Sequence, residues 1–131
     1  MFTSCYGQTK NKEQALDQSL SKIEVIDFHS THRCKTCNAI EANTKYTLNT
    51  YFANELEEDK ITFQLINIDK KKNEKIAEKF EASGTSLFLN VIKNGKETQI
   101  NLTDFAFMNG NNKETFSKEL KSKIEKELKT L

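Results

Sequence analysis

The sequence predicts an α/β fold of three layers, a four-stranded mixed sheet with helices on both faces. Three observations carry this. Short β-rich runs alternate with stretches whose apolar residues recur every three to five positions. Asn94-Gly95 stands between two strand-like runs, the strongest short-range hairpin signal. A long amphipathic stripe closes the chain. With 131 residues there is room for one domain, and a hydrophobic share of 36% gives a modest core under strongly amphipathic helices.

Residues 1–21 are polar with weak periodicity and read as an N-terminal tether, with a loose helical segment around Glu13 to Leu20. The domain proper is expected at 22–131. It opens with "IEVIDF", Ile23 to Phe28, a β-rich run of strand length. A break, "HSTHR", leads to Cys34. From there Ile40, Thr44, Leu48, Tyr51 and Leu56 form a helical stripe that should run to about Glu57. "ITFQLINI", Ile61 to Ile68, reads as a central strand. Ile76, Ala77 and Phe80 mark a short helix after "DKKKN", with Ser83 and Gly84 as its stop. "SLFLNVIK" and "ETQINL" are the two arms of the hairpin. Phe105, Phe107 and Met108 form a small apolar cluster on a turn or short helix. Asn109 to Asn112 is a loop. Phe116, Leu120, Ile124, Leu128 and Leu131 make the last amphipathic helix. The first three strands, being separated by helices, are expected to pair in parallel through right-handed crossovers. The fourth pairs antiparallel through its turn.

Composition excludes several classes of function. The 20 basic residues are balanced by 19 acidic ones, so no net field favours nucleic acid or an acidic membrane. No apolar run approaches the roughly 20 residues of a membrane span. The four glycines are scattered, without a phosphate-cradling loop, and no serine hydrolase constellation is legible. The Lys70–Lys72 run reads as a solvated helix entrance.

The chemistry-bearing stretch is "VIDFHSTHRCKTCNAI", Val25 to Ile40. Cys34 and Cys37 are expected at the first turn of a helix leaving the first strand, where unpaired amides and the positive helix end favour a thiolate. A spacing of three puts both sulfurs on one helix face. Cys34 can then attack a partner's disulfide, and Cys37 can reach back to resolve the mixed intermediate. Arg33 and Lys35 add positive charge beside the attacking sulfur, and His32 adds more when protonated. Thr36 is small enough to leave access open. Basic neighbours stabilise the reduced form and so lean the pair toward oxidising power. No organic cofactor is implied, because the cysteine pair itself carries the two electrons. The partner is another protein's disulfide or dithiol, and the chain is expected to act as a monomer.

These residues resemble the thioredoxin superfamily over nearly all of 22–131. "VIDF" before the motif, Asn67-Ile68-Asp69 at the end of the second strand and "NGK" in the hairpin are similar to thioredoxin. "FHSTHRCKTCNAIE" and "NLTDFAF" resemble a narrower group of small bacterial thioredoxin-like proteins, labelled ArsF-like or nitroreductase-associated. The resemblance implies a thioredoxin-like fold and a thiol–disulfide oxidoreductase. It also implies that Asp27 corresponds to the buried carboxylate that helps deprotonate the resolving cysteine.

Four departures from the thioredoxin pattern stand out. Arg33 occupies the position of the aromatic residue before the motif. The chain has no proline, and the position of the cis-proline facing the dithiol falls on Ser86, within "SGTSLFLN". The Thr85–Ser86 bond is expected to be trans, with Thr85 and Ser86 as the wall facing the sulfurs. One extra residue separates Asp27 from Cys34. The lysine that usually partners the carboxylate falls on Leu65. An unpartnered buried Asp27 would titrate high by desolvation; the plainer reading has Asp27 meeting solvent or a backbone amide.

Two other functions remain open on the sequence. One is a thioredoxin-fold binding module or reductase subunit without turnover. The other is a zinc or copper site on His29, His32, Cys34 and Cys37, which the ligand types allow. It requires the loop between them to fold back. Cys5, in "MFTSCYGQ", is either a free thiol on a frayed terminus or the lipidated residue of a trimmed bacterial lipoprotein signal. The second reading would place the protein in the cell envelope, facing the periplasm; the first leaves it cytoplasmic.

Overall fold

The structure is a computed structural model describing residues 20–131, so all but the last two residues of the tether expected at 1–21, and the expectations for Cys5, lie outside the described residues. Four strands, β1 (Lys22–His29), β2 (Ile61–Asn67), β3 (Ser86–Lys93) and β4 (Lys96–Asn101), form one sheet in the order β2-β1-β3-β4. The helices are α1 (Lys35–Tyr51), α2 (Ala53–Glu57), α3 (Glu74–Lys79), α4 (Thr103–Asn109) and α5 (Lys113–Leu128). A 3-10 turn, Lys71–Asn73, leads into α3.

The sheet is mixed, but its mixture differs from the sequence reading. β2 runs parallel to β1, whereas β3 runs antiparallel to it. The reason is length. The 3-10 turn and α3 together span Lys71–Lys79, and at about 1.5–2 Å of rise per helical residue they cover less distance than a seven-residue strand. The chain therefore re-enters the sheet where it left, with Ser86 opposite Phe28 at the end of β1. The hairpin is as expected: Asn94 and Gly95 both take positive φ, 52° and 80°, as a two-residue turn of matching twist demands. Its tip is held by Leu20 and Ser21, whose backbone oxygen and hydroxyl accept from the amides of Gly95 and Asn94.

Period-two alternation splits the strands between two cores. Ile23, Val25, Leu87, Leu89 and Val91 face α1 and α5, whose Ile40, Leu48, Phe116, Leu120 and Ile124 complete the larger core. Ile26, Phe28, Ile66 and Phe88 face the other way and pack with Phe80 beyond α3. Helices thus cover both faces.

Three helical details also differ. The long stripe after Cys34 breaks at Phe52, whose buried ring leaves helical geometry at φ −130° and separates α1 from α2; Tyr51 points to solvent. α3 ends at Phe80 with Glu81 in the left-handed region, ahead of the expected Ser83-Gly84 stop. Phe105, Phe107 and Met108 do not cluster. Phe105 packs on Phe116 with ring centroids 5.1 Å apart, while Phe107 and Met108 are exposed. Helical geometry turns consecutive positions to different sides, and only the Phe105–Ala106 side meets the core.

Candidate active site

The segment from the end of β1 to the start of α1 builds the site. It is tied down before the cysteines arrive. Thr31 donates its amide to Asp69 Oδ2 at 2.7 Å, and Ser30 Oγ donates to the His32 carbonyl at 2.9 Å. The Thr31 hydrogen bonds hold the Asp69 carboxyl below its ordinary range. Asp69, just after β2, thereby fixes the loop that delivers Cys34.

Cys34 is the N-cap of α1 rather than a member of its first turn. Its backbone is extended (φ −81°, ψ 169°), and its sulfur accepts the Cys37 amide at 3.0 Å. A sulfur at that position meets the unpaired amides and the positive end of the helix. Cys34 is exposed and Cys37 is buried, at 6%. The two form a disulfide with Cα atoms 5.0 Å apart, within the range that bridges without backbone movement.

Of the two residues expected as the facing wall, Thr85 touches the buried sulfur. Thr85 Oγ1 donates to Cys37 Sγ at 3.1 Å, and the Ser86 hydroxyl turns to the Gly84 carbonyl at 3.2 Å. The Thr85–Ser86 bond is trans. Thr36, between the cysteines, is half-buried because the end of α4 leans on it. Asn111 Nδ2 donates to Thr36 Oγ1 at 3.3 Å, and a Cβ on Gly110 would stand 2.7 Å from Thr36 Cγ2. Gly110 is thus needed for close approach. Buried Asn43 fastens the same corner by donating to the Gly110 carbonyl at 2.8 Å.

Asp27 lies on the central strand beneath α1, fully buried, and neither carboxylate oxygen has a hydrogen-bond partner among the described residues. The plainer reading, in which it meets solvent or an amide, is therefore corrected: β1 is covered by β2, β3 and α1. Burial raises its pKa from 3.8 to about 7; Arg33 and Lys45 oppose the rise and Glu41 adds to it. Leu65, opposite Asp27 on β2, is 39% exposed and supplies no charge.

Arg33, expected to add charge beside the attacking sulfur, has a carboxylate partner of its own. It turns inward and pairs with Glu41, each side chain 18% exposed. Lys35 and His32 do remain exposed at the mouth of the site. The histidines and cysteines do not assemble. His29 Nδ1 donates to the Ser30 carbonyl at 2.9 Å at the end of β1. Among the described residues no group of three or more His, Cys, Asp or Glu side chains converges to hold a metal. The loop would have to fold back to gather the four, and the hydrogen bond from the Thr31 amide to Asp69 ties it to the end of β2.

Glu41, Lys45, Asp69, Gly110 and Asn111 are site residues that sequence reasoning missed. A signal existed for the first two: Cys37, Glu41 and Lys45 recur at four-residue steps on one helix face. The others depend on contacts between distant elements.

No protein-family model and no curated protein matches the chain. Solved structures do. The Trx4 domain of ERdj5 aligns with a TM-score of 0.57 at 13% identity, covering 90% of this chain and 92% of that one. Thioredoxin NaTrxh from Nicotiana alata aligns with a TM-score of 0.51 at 20% identity, covering 92% of this chain and 85% of that one. The chain has the thioredoxin fold, with Cys34 and Cys37 at disulfide distance. Among the described residues, no helix is long and apolar enough to cross a membrane.

Proposed function

We propose that this chain is a thiol–disulfide oxidoreductase that exchanges disulfides with a partner protein. The observation that carries the reading is the position of the pair: an exposed sulfur at a helix N-cap, bridged to a buried one behind it. In the reducing direction the Cys34 thiolate attacks one sulfur of the partner's disulfide, and the partner's other sulfur leaves as a thiolate. Cys37 then loses its proton to the Asp27 carboxylate. Its sulfur bonds to Cys34 Sγ, and the second partner sulfur departs and is protonated from solvent. Two electrons pass to the partner, and the Cys34–Cys37 disulfide remains. The reverse sequence oxidises a partner dithiol.

The Cys37 amide that donates to Cys34 Sγ in the disulfide is placed to stabilise the Cys34 thiolate. Thr85 Oγ1 is placed to do the same for Cys37. Lys35, Thr36 and Ser86 line the approach of the partner. The narrower likeness to ArsF-like or nitroreductase-associated proteins rests on "FHSTHRCKTCNAIE" and "NLTDFAF" alone.

The test is a trap. Cys37→Ser should accumulate a mixed disulfide between Cys34 and a disulfide-bearing substrate such as insulin, visible by intact mass, while Cys34→Ser should form none. A Cys37→Ser protein that stays unmodified with excess substrate would leave the fold as a binding module.

A further inference from the structure

Asp27 must carry a negative charge if it is to take a proton from Cys37, and its neighbours within the sheet provide no counter-charge. Its partners across the sheet are Leu65 on β2 and Leu87 on β3. The charged groups that face it come from the other side: Arg33 in the loop before Cys34, and Glu41 and Lys45 on α1, one and two turns beyond Cys37.

These three form one chain of contacts. Arg33 Nη1 donates to Glu41 Oε1, and Lys45 Nζ donates to Glu41 Oε2 at 2.6 Å. The Lys45 hydrogen bond first, and Arg33 second, keep the Glu41 carboxyl below its ordinary range. Arg33 is only partly used. Its Nε and Nη2 are buried and have no partner among the described residues. A buried carboxyl with two idle oxygens therefore lies in the field of a buried guanidinium with idle N–H groups. Leaving both unsatisfied is costly, and their mutual attraction offsets part of that cost.

We propose that Arg33 is the counter-ion that lets Asp27 ionise in place, and that Glu41 sets how much of that charge Asp27 feels by competing for the same guanidinium. This rests on the reading of Asp27 as the proton acceptor. Arg33 favours the Asp27 anion before the proton moves. Once the Cys37 S–H proton sits on Asp27 and the sulfur electron pair has formed the bond to Cys34, Glu41 keeps Arg33 neutralised. Arg33 and Glu41 are positioning residues; neither touches the reacting sulfurs in this scheme. The arrangement stands in for the lysine that the resemblance places at Leu65.

A purely structural ion pair responds in the same direction to loss of either partner. A charge-setting pair responds in opposite directions. The experiment is a carbon-NMR pH titration of the Asp27 carboxyl in the oxidised protein, which needs no turnover. Arg33→Gln should move the midpoint to higher pH and Glu41→Gln to lower pH, each by roughly one pH unit. Arg33→Lys should return the midpoint most of the way, and it serves if Arg33→Gln fails to fold. Midpoints that move the same way in Arg33→Gln and Glu41→Gln, or that do not move, overturn the proposal. The pH profile of mixed-disulfide resolution separates the two readings. If Asp27→Asn leaves that profile unchanged, the proton-acceptor role fails, whatever the titration shows.

Discussion

The two faces of the sheet differ in the polar groups they bury. Under α3 the core is built on an aromatic cluster: Phe28, Phe80 and Phe88 meet with ring centroids 5.1 to 5.9 Å apart, with Ile26 and Ile66 beside them. Under α1 the same strands bury Asp27, and the helix above adds Asn43, Thr44 and Thr47 to the interior. Both Asp27 oxygens and Thr44 Oγ1 lack partners among the described residues. Buried polar groups of this kind cost stability. Those three lie on the face that holds Cys37; the aromatic face has two of its own, Thr62 Oγ1 and Asn90 Oδ1, on either side of Glu24 toward the end of β1 away from the cysteines. Among the described residues, only the α1 face buries an unpartnered carboxyl, and that is the side where a proton and two electrons would move.

The comparison can be broken most severely at Phe28. Phe28→Ala removes a fully buried ring from the aromatic face and should cost about 3–5 kcal/mol in denaturant unfolding. The reduction potential of the folded fraction should stay unchanged. A shifted potential with intact stability would mean the faces are not separate.

Asp27→Asn should act in the opposite sense. The folded pKa of Asp27, about 7, lies above its ordinary 3.8. As pH rises from about 4 to about 7 the unfolded chain gives up this proton while the native state keeps it, so native stability falls across that window and levels off above it. Removing the group should therefore stabilise the protein at pH 8 by up to about 4 kcal/mol and change little at pH 4. Thermal melts at the two pH values check this. Equal gains at both would show that Asp27 is not held neutral by burial.

The smallest effect belongs to Thr85. Thr85→Val deletes the donor to Cys37 Sγ and should cost about 1 kcal/mol or less in stability. It should nevertheless slow resolution of a mixed disulfide by destabilising the Cys37 thiolate, read as a longer-lived adduct by intact mass. An unchanged adduct lifetime would reduce Thr85 to a packing residue.

What the sequence disclosed follows the range of the interactions involved. Strand runs, the Asn94-Gly95 turn and the stripe of α5 are local patterns, and the structure reproduces them. The placement of Cys34 and Cys37 at a helix start was legible because "VIDF" and the stripe from Ile40 flank it. The direction of β3 was not, since it depends on how short α3 is, and Ile76, Ala77 and Phe80 fit a longer helix equally well. Phe52 was hidden because Tyr51 and Leu56 continue the spacing across the break. The inward turn of Arg33 was invisible for a different reason: its partner, Glu41, is eight residues away and reached only once the loop is pinned by Asp69.

The central claim is that Cys34 and Cys37 cycle between dithiol and disulfide at the tip of α1. Equilibrating the protein with glutathione mixtures of graded ratio, and counting free thiols at each, tests it most directly. The account predicts one two-electron transition that a metal chelator does not move and that Cys34→Ser abolishes. Thiols that stay reduced across the whole range, or a transition that follows the chelator, would contradict it.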